Sequence, residues 1–220
     1  MIASSSIGRA ASFFYLQRFK GFSPPDAPHF DPASTALFKS LLTRARRYLE
    51  FGAGGSTVMA AELGVGTLSV ESDPFYARAV RRRLPTTAPV KFVVVDIGLT
   101  KAWGTPVFQT PTPGRLARWK RYVDLPFERL GALGGPFPDL ILVDGRFRRA
   151  CALESARQAA LANQTTTLFF DDYLDRPHYH DIERHLGPPR MAGRAAVFEL
   201  GRRGGGPPRH LVEEVATDFR

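Results

Sequence analysis

The sequence predicts a doubly wound α/β fold, a mostly parallel sheet with helices on both faces. Three observations carry the prediction. Apolar β-branched runs alternate with helix-period runs along most of the chain. Several of the strand runs, such as "FVVV" and "LILV", are apolar throughout, as strands covered on both faces must be. The 220 residues suffice for one domain with a full core.

The elements follow in order. Ser34 to Ala45 reads as a helix with Ser34 as N-cap and Leu37, Leu41 and Leu42 on one face. "RRYLEFG" is a strand, and "STVMAAELG" is a helix closed by Gly64. "GTLSVES" is the second strand. "PFYARAVRRRL" is a helix that opens at Pro74 and stops before Pro85. "VKFVVVDIG" is a β-branched strand. Leu99 to Pro138 reads as a long irregular stretch, either a lid over the ligand end of the sheet or a loop helix that covers the sheet with Trp103, Trp119, Tyr122 and Phe127 in the core. Then come a strand "DLILVDG", a helix "ACALESARQAALA", a strand "TTTLFFDDY" and a helix around "HYHDIERHL". The end, "RAAVFELGRRGGGPPRHLVEEVATDF", reads as two strand-like runs around a Gly/Pro turn, expected to pair antiparallel. Residues 1–33 are expected to form an N-terminal extension, a candidate cover for the site, and residues 34–220 the domain.

Composition narrows the functional classes. The net charge is +9, but 25 of the 30 basic residues are Arg and they are scattered along the chain. Charge of this kind argues solubility and steering rather than a specific polyanion. No nucleic-acid module is marked, so no specific nucleic acid is expected as partner. No apolar run is long enough to span a bilayer, and the first residues lack the continuous apolar core of a signal peptide. The single Cys151 allows no intrachain disulfide and no Cys cluster for zinc, which makes a reducing, cytoplasmic setting the expectation. Cys151 heads a helix, which would lower its pKa, but its neighbours are apolar and no role is assigned to it.

The stretch "LEFGAGGST", Leu49 to Thr57, carries the functional signal. Gly52, Gly54 and Gly55 allow a sharp turn and bring backbone N–H groups close to a ligand at the mouth of the first strand. The helix that begins near Ser56 presents free N–H groups and the positive end of its dipole. A nucleotide-triphosphate loop would need Lys before Ser/Thr, and Gly55 stands there instead. The dinucleotide fingerprint would need Gly at position 57, where Thr57 stands, although Glu71 sits at the right distance for a ribose. A nicotinamide cofactor is weakened and stays open at this point. Glu50 would repel a pyrophosphate, whereas an amino group and a sulfonium would be drawn to it. S-adenosylmethionine has that chemistry.

Glu50-Phe51-Gly52-Ala53-Gly54 matches the E/D-x-G-x-G motif of class I, Rossmann-like S-adenosylmethionine-dependent methyltransferases, and the chain resembles that superfamily from about Tyr48 to Arg220. The resemblance implies the strand order 3-2-1-4-5-7-6 with an antiparallel seventh strand. It implies that Glu50, Gly52, Ala53, Gly54 and Ser56 surround the donor, that Glu71 and Ser72 meet its ribose, and that Asp96 and Ile97 border its adenine. It places Asp144 where methyl donor and acceptor meet. The implied activity is transfer of a methyl group to a small-molecule or saccharide acceptor, with O-methylation expected. A methyltransferase-fold binding or scaffold protein with reduced or no catalysis is the alternative.

The catalytic candidates are Asp144, Asp172 and His178. Asp144, Asp171 and Asp172 end adjacent strands, and an all-oxygen set of this kind would suit a divalent metal such as magnesium. Arg146 would compete for those carboxylates, so the favoured reading has no metal; Asp144 then orients a ligand and Asp172 fixes the following turn. His178 or His180 would serve as general base near neutrality. Tyr173, Arg176 and Tyr179 are expected to shape an acceptor pocket.

Overall fold

The computed structural model describes residues 13, 15, 17, 21–201 and 205–219. Strands Arg47–Phe51 (β1), Gly66–Glu71 (β2), Val90–Val94 (β3), Leu140–Val143 (β4), Thr166–Phe170 (β5), Arg190–Ala192 (β6) and Ala195–Leu200 (β7) form one seven-stranded sheet. Its order is β3-β2-β1-β4-β5-β7-β6. The first five strands pair in parallel, β7 lies antiparallel to β5, and β6 antiparallel to β7.

Alternation along the strands divides the core in two. Leu49, Phe51, Ile141, Val143, Leu168 and Phe170 belong to one cluster, while Tyr48, Leu140, Leu142 and Phe169 belong to the other. Successive strand residues point to opposite faces, so a strand apolar at every position buries both. Helix Pro32–Arg44 (α1) and helix Gly55–Glu62 (α2) cover the second face through Phe38, Leu42 and Ala60. Helix Pro74–Arg83 (α3) connects β2 to β3. The first face is covered by Pro113–Leu133 (α4), Arg148–Leu161 (α5) and, after a 3₁₀ turn at Pro177–Ile182 and the single turn Glu183–Leu186 (α6), by Arg209–Val215 (α7). Among the described residues no helix is long and apolar enough to cross a membrane.

Four sequence expectations are corrected. The stretch Leu99 to Pro138 is more regular than expected: it holds a two-strand hairpin, Thr100–Lys101 with Thr105–Pro106, and the 21-residue α4, which matches the reading of a helix over the sheet. Trp119, Tyr122, Val123, Pro126 and Phe127 are buried at helical spacing, which overrides the local breaking tendency of Gly114, Pro126 and Gly131. Trp103 stands apart from them, 78% exposed. At the end of the chain only Ala195–Leu200 of the two expected strands forms; its hairpin partner is Arg190–Ala192, and "RHLVEEV" is helical because Val212 and Val215 share one buried face. The helix expected around "HYHDIERHL" is a 3₁₀ turn plus one α turn. The cap of α1 is Asp31 rather than Ser34: its carboxylate accepts from Ala33 N and Ser34 N at 3.0 and 3.1 Å, with Pro32 in the first turn.

Parallel strands place the segments after β1 to β5 at one edge of the sheet, and the antiparallel β7 starts at that same edge, with Ala196 paired to Phe170. The chain order reverses between β1 and β4, which lie side by side with β2 beyond β1. That reversal opens a crevice at the carboxyl ends of β1 and β4.

Candidate active site

The glycine turn sits in this crevice. Gly52 has φ +101° and its N–H donates to Val70 O at 2.9 Å. A Cβ built on Gly52 would lie 2.9 Å from the Cα and N of Gly145, in the turn after β4. Neither its conformation nor its contact admits a side chain. Gly55 is under a different constraint. A Cβ there would come within 2.1 Å of the backbone of Ala27, so the segment before α1 lies directly on the first turn of α2. Three non-glycine residues at this edge have left-handed backbones, Trp103 (φ 63°), Phe147 (φ 55°) and Asp172 (φ 58°), each after a different strand. Strain of this kind collects at ligand sites.

Glu50 is fully buried behind the turn. Its carboxylate accepts from Tyr48 Oη at 2.9 Å, from Ser56 Oγ at 2.6 Å and from Thr57 Oγ1. Thr57 Oγ1 in turn accepts from Gly54 N at 2.9 Å. Burial raises the carboxyl pKa, and the hydroxyls oppose that rise. Both carboxylate oxygens are therefore engaged within the protein, where they tie α2 to β1.

Glu71 ends β2 beside the same turn. Its Oε1 accepts from Ser72 N, Asp73 N and Ser72 Oγ at 2.6, 2.9 and 3.1 Å. Its Oε2 accepts from Ala53 N at 3.3 Å, joining the two strand ends. Burial pushes its carboxyl up to about 7 against these hydrogen bonds. Tyr76, on α3, borders the turn too: a Cβ on Gly54 would lie 3.6 Å from its hydroxyl, which burial and the Glu71 charge push up to about 12. The sequence reading missed Tyr76, whose signal was its place in the first turn of the helix after β2.

Asp96 and Ile97 lie just beyond β3. Asp96 is exposed, accepts from Gly98 N at 2.8 Å and pairs with Arg118 at 3.2 Å. Ile97 is 2% exposed, and its carbonyl accepts from Trp119 Nε1 at 3.2 Å.

Asp144, Asp171 and Asp172 come together as expected, each offering an oxygen within 4.8 Å of the others. Arginines already engage all three. Arg148, at the start of α5, pairs with Asp144 at 2.9 Å and Asp172 at 3.4 Å and donates to Asp171 O at 2.7 Å. Arg194 pairs with Asp171 at 2.9 Å and Asp172 at 3.1 Å, and Arg176 reaches Asp172 at 2.6 Å. Burial pushes the Asp144 carboxyl up to about 6, with Arg148 opposing. Arg148 and Arg194 were not foreseen; Arg148 follows Asp144 by one helical turn, the signal available for it, whereas Arg194 stands in the β6–β7 turn more than twenty residues from Asp171 and Asp172, where no sequence signal marks it.

Two of the residues expected to shape an acceptor pocket are packed into the core. Tyr173 and Tyr179 are core side chains at 1% and 0% exposure; Tyr173 Oη donates to Glu183 at 2.9 Å, and the Tyr179 ring lies 4.9 Å from Phe170. His178 is exposed on the 3₁₀ turn, and His180 stacks on Tyr173 at 4.6 Å. Cys151 is fully buried, and burial raises its thiol pKa where the helix start was expected to lower it. Desolvation outweighs the dipole there.

Two segments converge over the glycine turn. Besides Ala27 on Gly55, the His29 ring lies 6.2 Å from Trp103. A Cβ on Gly104 would meet Ser72 Oγ at 3.2 Å and Arg146 Cγ at 3.8 Å.

No protein-family model and no curated protein matches the chain. Among solved structures, a methyltransferase-like protein from Silicibacter pomeroyi DSS-3 is 33% identical, over 90% of this chain and 98% of that one, with a TM-score of 0.74. A cofactor-bound protein from MTB is 17% identical over 91% of each chain with a TM-score of 0.50, a likeness of fold. With the sheet order, the glycine turn and the acid at the end of β2, these findings establish that the chain belongs to the class I S-adenosylmethionine-dependent methyltransferase superfamily.

Proposed function

We propose that the protein binds S-adenosylmethionine at the glycine turn and transfers its methyl group to an oxygen of a small-molecule or saccharide acceptor. The observation that carries this reading is Glu71, buried at the end of β2 and bonded through Oε2 to Ala53 N of the turn. A carboxylate so placed accepts from a ribose diol, and the bare backbone of Gly54 leaves room beside it. Bound there, S-adenosylmethionine supplies an electrophilic methyl group on a sulfonium. Gly52, Ala53, Gly54, Ser56, Glu71 and Ser72 form its cradle in this reading, Asp96 and Ile97 stand at the adenine end, and Glu50 holds the cradle's shape from behind.

Much of the rate of such an in-line displacement comes from holding the acceptor close and aligned. Asp144, raised towards neutrality at the end of β4, is our candidate to accept the acceptor's proton. Asp172 is a positioning residue that gathers Arg148, Arg176 and Arg194. His178, exposed, ranks behind Asp144 as a base. The residues present do not suit a divalent metal: each carboxylate of the acid cluster has a guanidinium nitrogen at 3.4 Å or less, which a cation would have to displace. No step is routed through one.

The same pairing favours a second reading, a methyltransferase-fold binding protein without turnover. Thermal shift separates the readings from each other and from a nicotinamide enzyme. Stabilisation by S-adenosylmethionine and S-adenosylhomocysteine but not by NAD is expected. Silence towards both sulfur ligands would remove the donor site. Binding without methyl transfer across a panel of hydroxylated acceptors would favour the second reading.

A further inference from the structure

Four arginines gather at the carboxyl ends of β4 and β5, and three of them are spoken for. Arg148, Arg176 and Arg194 pair with Asp144, Asp171 and Asp172. Arg146 is the fourth. Among the described residues no carboxylate lies within ion-pair distance of it, and its Nε is buried without a hydrogen-bond partner. Arg149, three residues on, makes the contrast: its Nε also lacks a partner, but its terminal nitrogens pair with Asp181 and Asp218.

The position of Arg146 is functional ground. It follows Asp144 and Gly145, whose turn packs against Gly52, and it precedes the left-handed Phe147. Its Cγ lies 3.8 Å from where a Cβ on Gly104 would stand, a point 3.2 Å from Ser72 Oγ, so the stem runs between the turn after β4 and the hairpin that carries Trp103, at the edge where β2 ends. The groups around it are Tyr122, Tyr179, Asp144 and the like-charged Arg148. Burial and Arg148 both disfavour its charged form. A buried guanidinium nitrogen without a hydrogen-bond partner is costly in a folded protein. A bound anion would remove that cost, and the planar fork of Arg suits an oxyanion in two-point contact.

We infer that Arg146 is the recognition residue of the acceptor pocket and that the acceptor carries an oxyanion, a carboxylate or a phosphate. This deepens the methyltransferase reading and rests on it. The four arginines at the ends of β4 and β5 face three carboxylates, and the sulfonium of the donor would add positive charge beside them, so an anionic acceptor is matched to the loaded site. Arg146 is a binding and specificity residue and takes no proton.

The test uses the full chain with inorganic phosphate and benzoate as probes, with and without S-adenosylhomocysteine, read by thermal shift and calorimetry. The parent should show a saturable rise in melting temperature with at least one probe. Arg146→Gln should lose that rise, with at least tenfold weaker binding, and should melt no lower than the parent in the absence of anion, because an unmatched buried charge has been removed. Arg146→Met, which keeps the aliphatic stem, serves the same comparison where the Gln variant fails to fold. S-adenosylhomocysteine affinity should stay within twofold of the parent. No saturable response of the parent to either probe would overturn the inference, and so would undiminished anion binding in the variant. A tenfold loss of S-adenosylhomocysteine affinity in the variant would assign the anion to the donor's own carboxylate and overturn the acceptor role. Failure of the parent to bind S-adenosylhomocysteine would overturn the donor reading separately, while the phosphate titration without it still reports on Arg146.

Discussion

Two glutamates flank the glycine turn, and their environments separate their tasks. Glu50 has both oxygens occupied by three hydroxyls of Tyr48, Ser56 and Thr57. Glu50→Ala would leave those buried donors without an acceptor, at about 1–3 kcal/mol for each unsatisfied group. We expect urea unfolding to show a loss of at least about 3 kcal/mol. An unchanged midpoint with weakened S-adenosylhomocysteine binding would instead place this carboxylate's work at the ligand. Glu71 keeps Oε2 on the long 3.3 Å bond to Ala53 and is the better ligand group. Its carboxyl is raised from 4.5 to about 7 in the folded chain. The folded state thus holds the proton more tightly than the unfolded state. Its contribution to stability is most favourable at or below pH 4.5 and declines as pH rises to about 7. A ribose diol donates to the ionised form, so donor binding should expel the proton. We expect S-adenosylhomocysteine affinity to rise from pH 6 to pH 8, with proton release visible in buffers of different ionisation enthalpy. Glu71→Gln should flatten that dependence and weaken binding by about 1.5–3 kcal/mol. A parent affinity indifferent to pH would remove Glu71 from the ribose.

Between elements, Arg194 is the clasp. It stands in the β6–β7 turn, its guanidinium pairs with Asp171 and Asp172 after β5, and its terminal nitrogen donates to His29 O. Its own N–H donates to Asp31 at 3.0 Å, the residue that caps α1. Those bonds, together with Ser34, hold the Asp31 carboxyl well below the usual range. Asp171 is 2% exposed, so removing its partner strands a buried charge. Arg194→Ala should cost about 3–5 kcal/mol, measured by denaturant unfolding. Arg194→Lys should recover part of that loss, because a point charge replaces the fork. A neutral Arg194→Ala would mean that the acid cluster is satisfied without the clasp.

At the scale of the whole molecule, the segment before α1 and the hairpin after β3 meet over one crevice, Ala27 on Gly55 and His29 near Trp103. We propose, for that reason, that residues 1–33 cover the site and residues 34–220 form the domain beneath. Residues 1–12, 14, 16 and 18–20 of that extension lie outside the described residues. Deleting residues 1–28 spares the Asp31 cap and its bond to Arg194, so the remaining domain should still unfold cooperatively on heating. S-adenosylhomocysteine should then dissociate faster by on the order of tenfold, about 1.4 kcal/mol if association is unaltered. An unaltered off-rate would show that the segment packs beside the site without closing it.

The sequence by itself determined the sheet, its direction and the turn that faces the ligand. Strand runs apolar at every position can only be buried on both faces, and Gly52 can be read as glycine-requiring because its turn demands a backbone that side chains resist. The acids at the strand ends were legible as well, since parallel strands bring their carboxyl ends to one edge. Tertiary structure alone decided what each of those acids meets. Glu50 faces hydroxyls from its own strand and the next helix, which no spacing announces. Asp171 and Asp172 meet Arg194 from a hairpin more than twenty residues away, so the acids that the sequence shows only as a cluster lie within an ion-pair network. The extent of helix α4 was hidden by its own glycines and proline, because local propensity costs a few kcal/mol at most while burial of Trp119, Tyr122 and Phe127 contributes more. Whether Arg146 has a partner is likewise a fact of the folded chain, because a charge is matched by what surrounds it in space and not by its neighbours in sequence.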